Sequence, residues 1–327
     1  MRFFTKSVDY KYHEITDTMR VLCQKHPVLE QFKIGKSCSE RDIRALKINS
    51  SRNEYVLFTA AFHGSEHITS NILLFFAEEL ASAYSKKASL AGVNIKKALS
   101  GRGIIFVPAV NPDGCEISIC GVSGCGKYAS NIYKLCGGDF ARWNANLRGV
   151  DINHNFDAGW QQLHTIEQKS GILGPAPTRF GGYSPESEPE TQALVKLCRE
   201  YNICHAIAIH SQGEVIYWNY NGYEPKKSKQ MAEIMAATSG YALDVPIKIA
   251  TGGGFKDWFL KEFNRPAFTV EVKLRKNPLP ISDAFKIYEN IREMLTISSI
   301  MYFYHCAVFI ATKFVKFLFC GKLIKIF

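Results

Sequence analysis

The chain has 327 residues, 46% of them hydrophobic and 21% charged, enough for one large domain or two small ones with a real core. No repeat of 20–50 residues runs through it, which excludes a solenoid. The net charge of +10 is carried partly by Lys313, Lys316, Lys322 and Lys325, and with no recognition motif beside it this charge does not point to nucleic acid.

The first twenty residues hold no apolar stretch followed by a small-residue cleavage site, and ten cysteines fit a reducing compartment, so a cytoplasmic protein is expected. Residues 11–25 are predicted helical, with Met19, Val21 and Leu22 on an apolar side. Two short strands are predicted within 30–50. Residues 54–62 (EYVLFTAAF) form a near-continuous apolar run, the pattern of a strand buried on both faces. A helix follows over 66–84. Residues 103–110 (GIIFVPAV) read as a second buried strand, stopped by the turn signal Asn111-Pro112-Asp113-Gly114.

Residues 115–180 are rich in Gly, Asn, Ser and Cys and read as long loops, which in a compact domain usually carry function. Cys115, Cys120, Cys125 and Cys136 lie there, at spacings that do not match a zinc ribbon, so free thiols are expected. A helix is predicted to start in Ser184-Pro185-Glu186-Ser187-Glu188-Pro189-Glu190-Thr191, where acids suit the positive helix end. Residues 204–209 are predicted as a strand ending at His210, with another at 214–218. Helices are expected over 227–239, 255–263 and 281–298, and a strand over 267–272 (AFTVEV). The tail is apolar but interrupted by Lys313 and Lys316, so a clean membrane span fails, and contact with a membrane surface is the weaker alternative to an extra packed helix.

Alternating strands and helices indicate an α/β protein. In an open sheet, side chains at the C-terminal strand ends project into the ligand crevice. His63 and Glu66 follow one buried strand directly, and His210 closes another. A hydrolytic zinc site needs three His, Asp or Glu ligands and one open position. His-x-x-Glu alone is close to a chance match; a His at a second strand end gives it weight. Glu271 lies inside an apolar strand, where a carboxylate is costly unless it is ion-paired or functional, and where burial raises its pKa toward the range a general base needs.

Five motifs occur in order: Phe62-His63-Gly64-Ser65-Glu66, Asn111-Pro112-Asp113-Gly114, Gly149-Val150-Asp151-Ile152-Asn153-His154-Asn155-Phe156, Ile209-His210-Ser211 and Phe268-Thr269-Val270-Glu271. Together they resemble the zinc carboxypeptidases, peptidase family M14, over about residues 10–300. Ser187-Glu188-Pro189-Glu190-Thr191, Gly253-Gly254-Phe255-Lys256-Asp257-Trp258 and Lys276-Asn277-Pro278-Leu279-Pro280 resemble its bacterial branch of γ-D-glutamyl-L-diamino acid endopeptidases, which cut cell-wall peptides.

The resemblance implies a mixed, mainly parallel eight-stranded sheet with helices on both faces, as one catalytic domain over 1–300 followed by the tail 301–327. It implies one zinc ion held by His63, Glu66 and His210, with Glu271 as general base and a small peptide, a muropeptide, as substrate; the alternatives are an ordinary carboxypeptidase, a zinc amidohydrolase on another substrate, or a family member that binds muropeptide without turning it over. An oxyanion-stabilising arginine is implied near Arg142, with Asn144 or Arg148 as alternatives. Asn153 and His154 match the family's Asn-Arg pair that grips a terminal carboxylate. Histidine replaces a permanently charged bidentate fork with a single donor, so strong recognition of a free C-terminus is not expected. Lys256 matches the specificity position, where a cation favours the extra carboxylate of diaminopimelate.

Overall fold

The apolar runs become the middle of a sheet. In the computed structural model, which describes residues 10–301, the strands are β1 (Leu29–Lys36), β2 (Asp42–Ile48), β3 (Tyr55–Ala60), a short pair β4 (Ser89–Leu90) and β5 (Val93–Asn94), β6 (Gly103–Val107), β7 (Ile203–Ser211), β8 (Val215–Tyr217), β9 (Ala242–Leu243) and β10 (Ala267–Val272). All but β4 and β5 join one eight-stranded sheet in the order β1-β2-β6-β3-β7-β10-β8-β9. β6, β3, β7 and β10 run parallel as its centre, and antiparallel joins at β2/β6 and β10/β8 carry the flanks.

The helices are α1 (Tyr12–Lys25), α2 (Ile68–Ser85), α3 (Ile95–Leu99), α4 (Pro112–Cys120), α5 (Ala129–Cys136), α6 (Trp160–Lys169), α7 (Pro189–Glu200), α8 (Ser228–Ser239), α9 (Phe255–Phe263) and α10 (Ala284–Ile300). Strand alternation sorts the core into two layers. Val56, Phe58, Ile207 and Ile209 pack with Met19 of α1, Phe76 of α2, Met235 of α8 and Leu295 of α10. Leu57, Ala206 and Ala208 face the other way, against Leu194 of α7 and Phe259 of α9. Each large apolar side chain buried this way stabilises the fold by roughly 1.5–3 kcal/mol. The neighbouring C-terminal ends of β3, β7 and β10 are thereby fixed side by side.

The mixed sheet with helices on both faces agrees with the expected fold. Two local expectations do not hold. Asn111-Pro112-Asp113-Gly114 opens α4 rather than a turn: Asn111 is the N-cap, its side chain accepts from Gly114 N, and Pro112 occupies the first helical turn. The same residue types serve turns and helix starts. The segment 115–180 contains α5, α6 and most of α4, because short helices with many polar residues leave little apolar periodicity to read. The readings of residues 1–9 and of the tail 302–327 fall outside the described residues. Among the described helices none is long and apolar enough to cross a membrane.

Candidate active site

The first candidate ligand pair is shaped by backbone. β3 stops because Ala61 turns into the left-handed region (φ 50), and its N–H is taken by Thr69 Oγ1 at 2.9 Å. Gly64-Ser65-Glu66 then makes one turn of 3₁₀ helix. Gly64 is pressed against other backbone: a Cβ there would lie 2.2 Å from Gly114 O and 2.5 Å from Trp143 O. Gly64→Ala is therefore expected to displace the loop that carries His63 and Glu66, lowering stability by roughly 1–3 kcal/mol and weakening zinc binding with it. Urea unfolding and metal titration of the variant check this; wild-type values in both would contradict it.

His210 and Glu271 are set by strand register. Ala206 and Ala208 pack into the α9-side core, and His210 is the next residue on that side of β7. Parallel pairing places Glu271 of β10 directly beside it. The His210 ring stacks on Phe62 with centroids 5.1 Å apart.

Both histidines converge on one carboxylate. His63 Nδ1 lies 3.1 Å from Glu66 Oε1, and His210 Nδ1 lies 3.0 Å from Glu66 Oε2. One ligand atom from each of the three residues falls within 4.8 Å of the others. His63 Nε2 is in turn 3.1 Å from Asp151 Oδ1, and Arg179 N donates to Asp151 Oδ2 at 2.8 Å.

The electrostatics follow from this crowding. Burial opposes charge on His63, but Asp151 and Glu66 overcome it and hold the imidazolium well above its ordinary pKa. Burial would raise Glu66, yet His63 and His210 pull it down to about 2. Glu271 moves the other way: burial and then the Glu66 charge push it well above the carboxylate range, with His63 opposing.

This donor set suits a divalent cation. Protein alone must place a proton on each histidine Nδ1 that faces Glu66, whereas a cation takes both Nδ1 lone pairs and the carboxylate together and leaves Nε2–H of His63 to Asp151. Asp151 is the residue that sequence reasoning missed. Its signal was present, as an acid amid the apolar residues of Gly149-Val150-Asp151-Ile152, but only the fold brings it to His63.

The other expected residues are placed less simply. Arg142 does not join the cluster: its side chain is 70% exposed and pairs with Asp139 at 3.6 Å. Trp143 beside it is fully buried and anchors the segment with Arg142 outside. Asn144 instead touches the ligand loop, its backbone oxygen accepting from Gly64 N at 3.1 Å and its side-chain oxygen from Ser65 Oγ. Arg148 NH1 lies 3.7 Å from Glu188. Asn153 Oδ1 accepts from Phe255 N at 3.0 Å. His154 is buried, with Nδ1 2.8 Å from Glu167 Oε1. Lys256 is buried as well, its ammonium donating to Asn219 O at 2.6 Å and to Asp257 Oδ1.

Cys115, Cys120, Cys125 and Cys136 are free thiols. Among the described residues a second metal-sized group forms elsewhere, from Cys38, Asp113 and Glu190. Its oxygens are already occupied: Asp113 accepts from Ser37, Ser39 and Arg41, and Glu190 accepts from Cys38 N at 2.9 Å and Asn146 Nδ2 at 3.2 Å. Burial and then Asp113 push Glu190 up to about 7. The folded state thus holds this proton more tightly than the unfolded chain. Its contribution to stability is full below the ordinary glutamate pKa and is lost as pH rises through about 7. A gap of that size corresponds to about 3 kcal/mol. Glu190→Gln is expected to shrink the stability difference between about pH 5 and about pH 8 by roughly 2–3 kcal/mol. Urea unfolding at the two pH values measures it; an unchanged difference would contradict the assignment.

Comparison with known proteins identifies the family. The family described as zinc carboxypeptidase matches residues 15–294. The gamma-D-glutamyl-L-diamino acid endopeptidase 1 of Lysinibacillus sphaericus is 32% identical over 284 residues, covering 86% of this chain and 70% of that protein. Carboxypeptidase B of Rattus norvegicus is 24% identical over 264 residues, covering 75% of this chain and 58% of that protein. Among solved structures, carboxypeptidase A from Helicoverpa armigera superposes with a TM-score of 0.68 at 20% identity, covering 89% of this chain and 73% of that one. The chain belongs to the zinc carboxypeptidase family and is a zinc metallopeptidase.

Proposed function

We propose that this peptidase hydrolyses the γ-D-glutamyl–diaminopimelate bond of bacterial cell-wall peptides, with zinc held by His63, Glu66 and His210. The observation that carries the substrate reading is the 32% identity to a γ-D-glutamyl-L-diamino acid endopeptidase across 86% of the chain. Zinc, when bound, supplies a Lewis acid that polarises the scissile carbonyl and lowers the pKa of water.

The chain's own groups do the rest. Glu271, beside His210, accepts a proton from the attacking water and returns it to the leaving amine. Asp151 keeps His63 in the Nε2–H tautomer, leaving Nδ1 free as a ligand. The Asn144 side chain, tied to Ser65, is the group near the ligand loop that suits the oxyanion role first expected of Arg142.

The substrate pocket supports an internal bond better than a terminal one. His154 is committed to buried Glu167, so it offers no free cation to a terminal carboxylate. Lys256 keeps a buried ammonium at the specificity position, shared with Asp257, and a second carboxylate on the substrate completes its coordination. Lys256→Gln is expected to lower kcat/KM on diaminopimelate peptides about 10-fold more than on their lysine counterparts. Equal losses would remove Lys256 from the pocket.

The test of substrate is product identity. Zinc-loaded protein is incubated with L-Ala-γ-D-Glu-meso-diaminopimelate and, separately, with unblocked α-linked peptides. Release of diaminopimelate from the first, with little turnover of the second, supports the reading. Stepwise removal of C-terminal residues from the second set would make the protein an ordinary carboxypeptidase.

A further inference from the structure

Asn277 follows β10 and reaches back to the end of β7. Both hydrogens of its amide are used: Nδ2 donates to Ser211 O at 2.7 Å and to Glu66 Oε1 at 3.3 Å. Its Oδ1 accepts from Ser211 Oγ at 2.8 Å, and its backbone N–H donates to Gln212 Oε1 at 3.1 Å. The orientation of this amide is fixed by its partners. Turned over, it would set Oδ1 against the Ser211 carbonyl and the Glu66 carboxylate, with acceptors facing acceptors. Ser211 N completes the grip by donating to Glu66 Oε2 at 3.2 Å.

Glu66 is thus held at both oxygens by one unit, Asn277 with Ser211. The unit holds the carboxylate in the orientation that presents one oxygen to His63 Nδ1 and the other to His210 Nδ1. The expected ligand set contains no residue with this task, and the site's zinc chemistry does not require an asparagine there. A carboxylate on a flexible side chain, free to rotate, would offer both histidines worse geometry for a shared ion.

We propose that Asn277 is a positioning residue of the metal centre, orienting Glu66 through an amide that Ser211 locks. The inference rests on the proposed metal role of His63, Glu66 and His210. Its test is zinc affinity of the full chain, measured by competition with a chelator of known affinity, so the readout is independent of turnover. Asn277→Ala is expected to weaken zinc about 10–100-fold, as loss of an outer-shell partner does. Ser211→Ala, which keeps the amide but unlocks it, is expected to weaken zinc by a few-fold, and to add nothing in the Asn277→Ala background.

Should Asn277→Ala fail to fold, Ser211→Ala alone decides, and a wild-type affinity for it would overturn the proposal. With folded variants, affinities within about twofold of wild type for both, while His63→Ala loses zinc, would overturn the role of Asn277 and leave the metal site standing. Zinc binding unchanged by His63→Ala would overturn the metal site itself, and the inference with it.

Discussion

Glu271→Gln is expected to lower kcat by about 10²–10⁴-fold while leaving bound zinc unchanged. The substitution is isosteric and Glu271 is not one of the three converging ligand atoms, so it removes the proton acceptor and little else. The environment explains why a glutamate serves here. Burial and the Glu66 charge hold its pKa well above the ordinary value, with His63 opposing, which makes its carboxylate a stronger base than one on the surface. Activity should therefore fall as pH drops through the folded pKa of Glu271, and this acid limb should disappear in the glutamine variant. Steady-state kinetics with parallel metal analysis check both. Retention of wild-type kcat in a zinc-loaded Glu271→Gln protein would place the base elsewhere.

His63→Ala is expected to abolish stoichiometric zinc. It removes one of the three proposed ligands, so the loss should exceed the about 10–100-fold effect of changing a side chain that only orients a ligand. It also leaves Asp151 and Glu66 facing each other without the imidazole between them. Zinc bound only by the folded state stabilises it by about 4 kcal/mol when free metal is 1,000-fold above Kd. The thermal shift between zinc-loaded and metal-free wild type should then vanish in the variant. A variant that still gains stability from zinc would show that the ion is held by other residues.

The sheet was legible because β3, β6, β7 and β10 are apolar on both faces, and that pattern survives without any knowledge of neighbours. The candidate site residues on those strands were legible for the same reason, since His63, His210 and Glu271 each break or close an apolar run. What the sequence left open depended on three-dimensional partners. Nothing local to Asp151 says that it meets His63, which is 88 residues away, or that Asn277 meets Glu66 across 211. Arg142 and Asn144 sit two positions apart, and only the burial of Trp143 between them decides which one touches the ligand loop. His154 read as a weakened substrate clamp; its commitment to Glu167 became visible only when α6 packed beside it. The start of α4 resembles a turn in sequence because Asn111 caps the helix with the same side-chain oxygen that would close a turn.

The second acidic group, at Cys38, Asp113 and Glu190, sharpens what must be measured. It too has metal-ligand atoms within 4.8 Å of one another, but its Asp113 is already ion-paired with Arg41, and the group contains no histidine. Of these two groups, the cluster at the ends of β3 and β7 is the one that turns two histidine Nδ1 atoms toward a shared carboxylate. Crystals of the zinc-loaded protein, with diffraction recorded on either side of the zinc absorption edge, distinguish the two sites. The expected result is one anomalous peak about 2.0–2.2 Å from His63 Nδ1, His210 Nδ1 and Glu66. A peak at Cys38, Asp113 and Glu190 with none between the histidines would contradict the account.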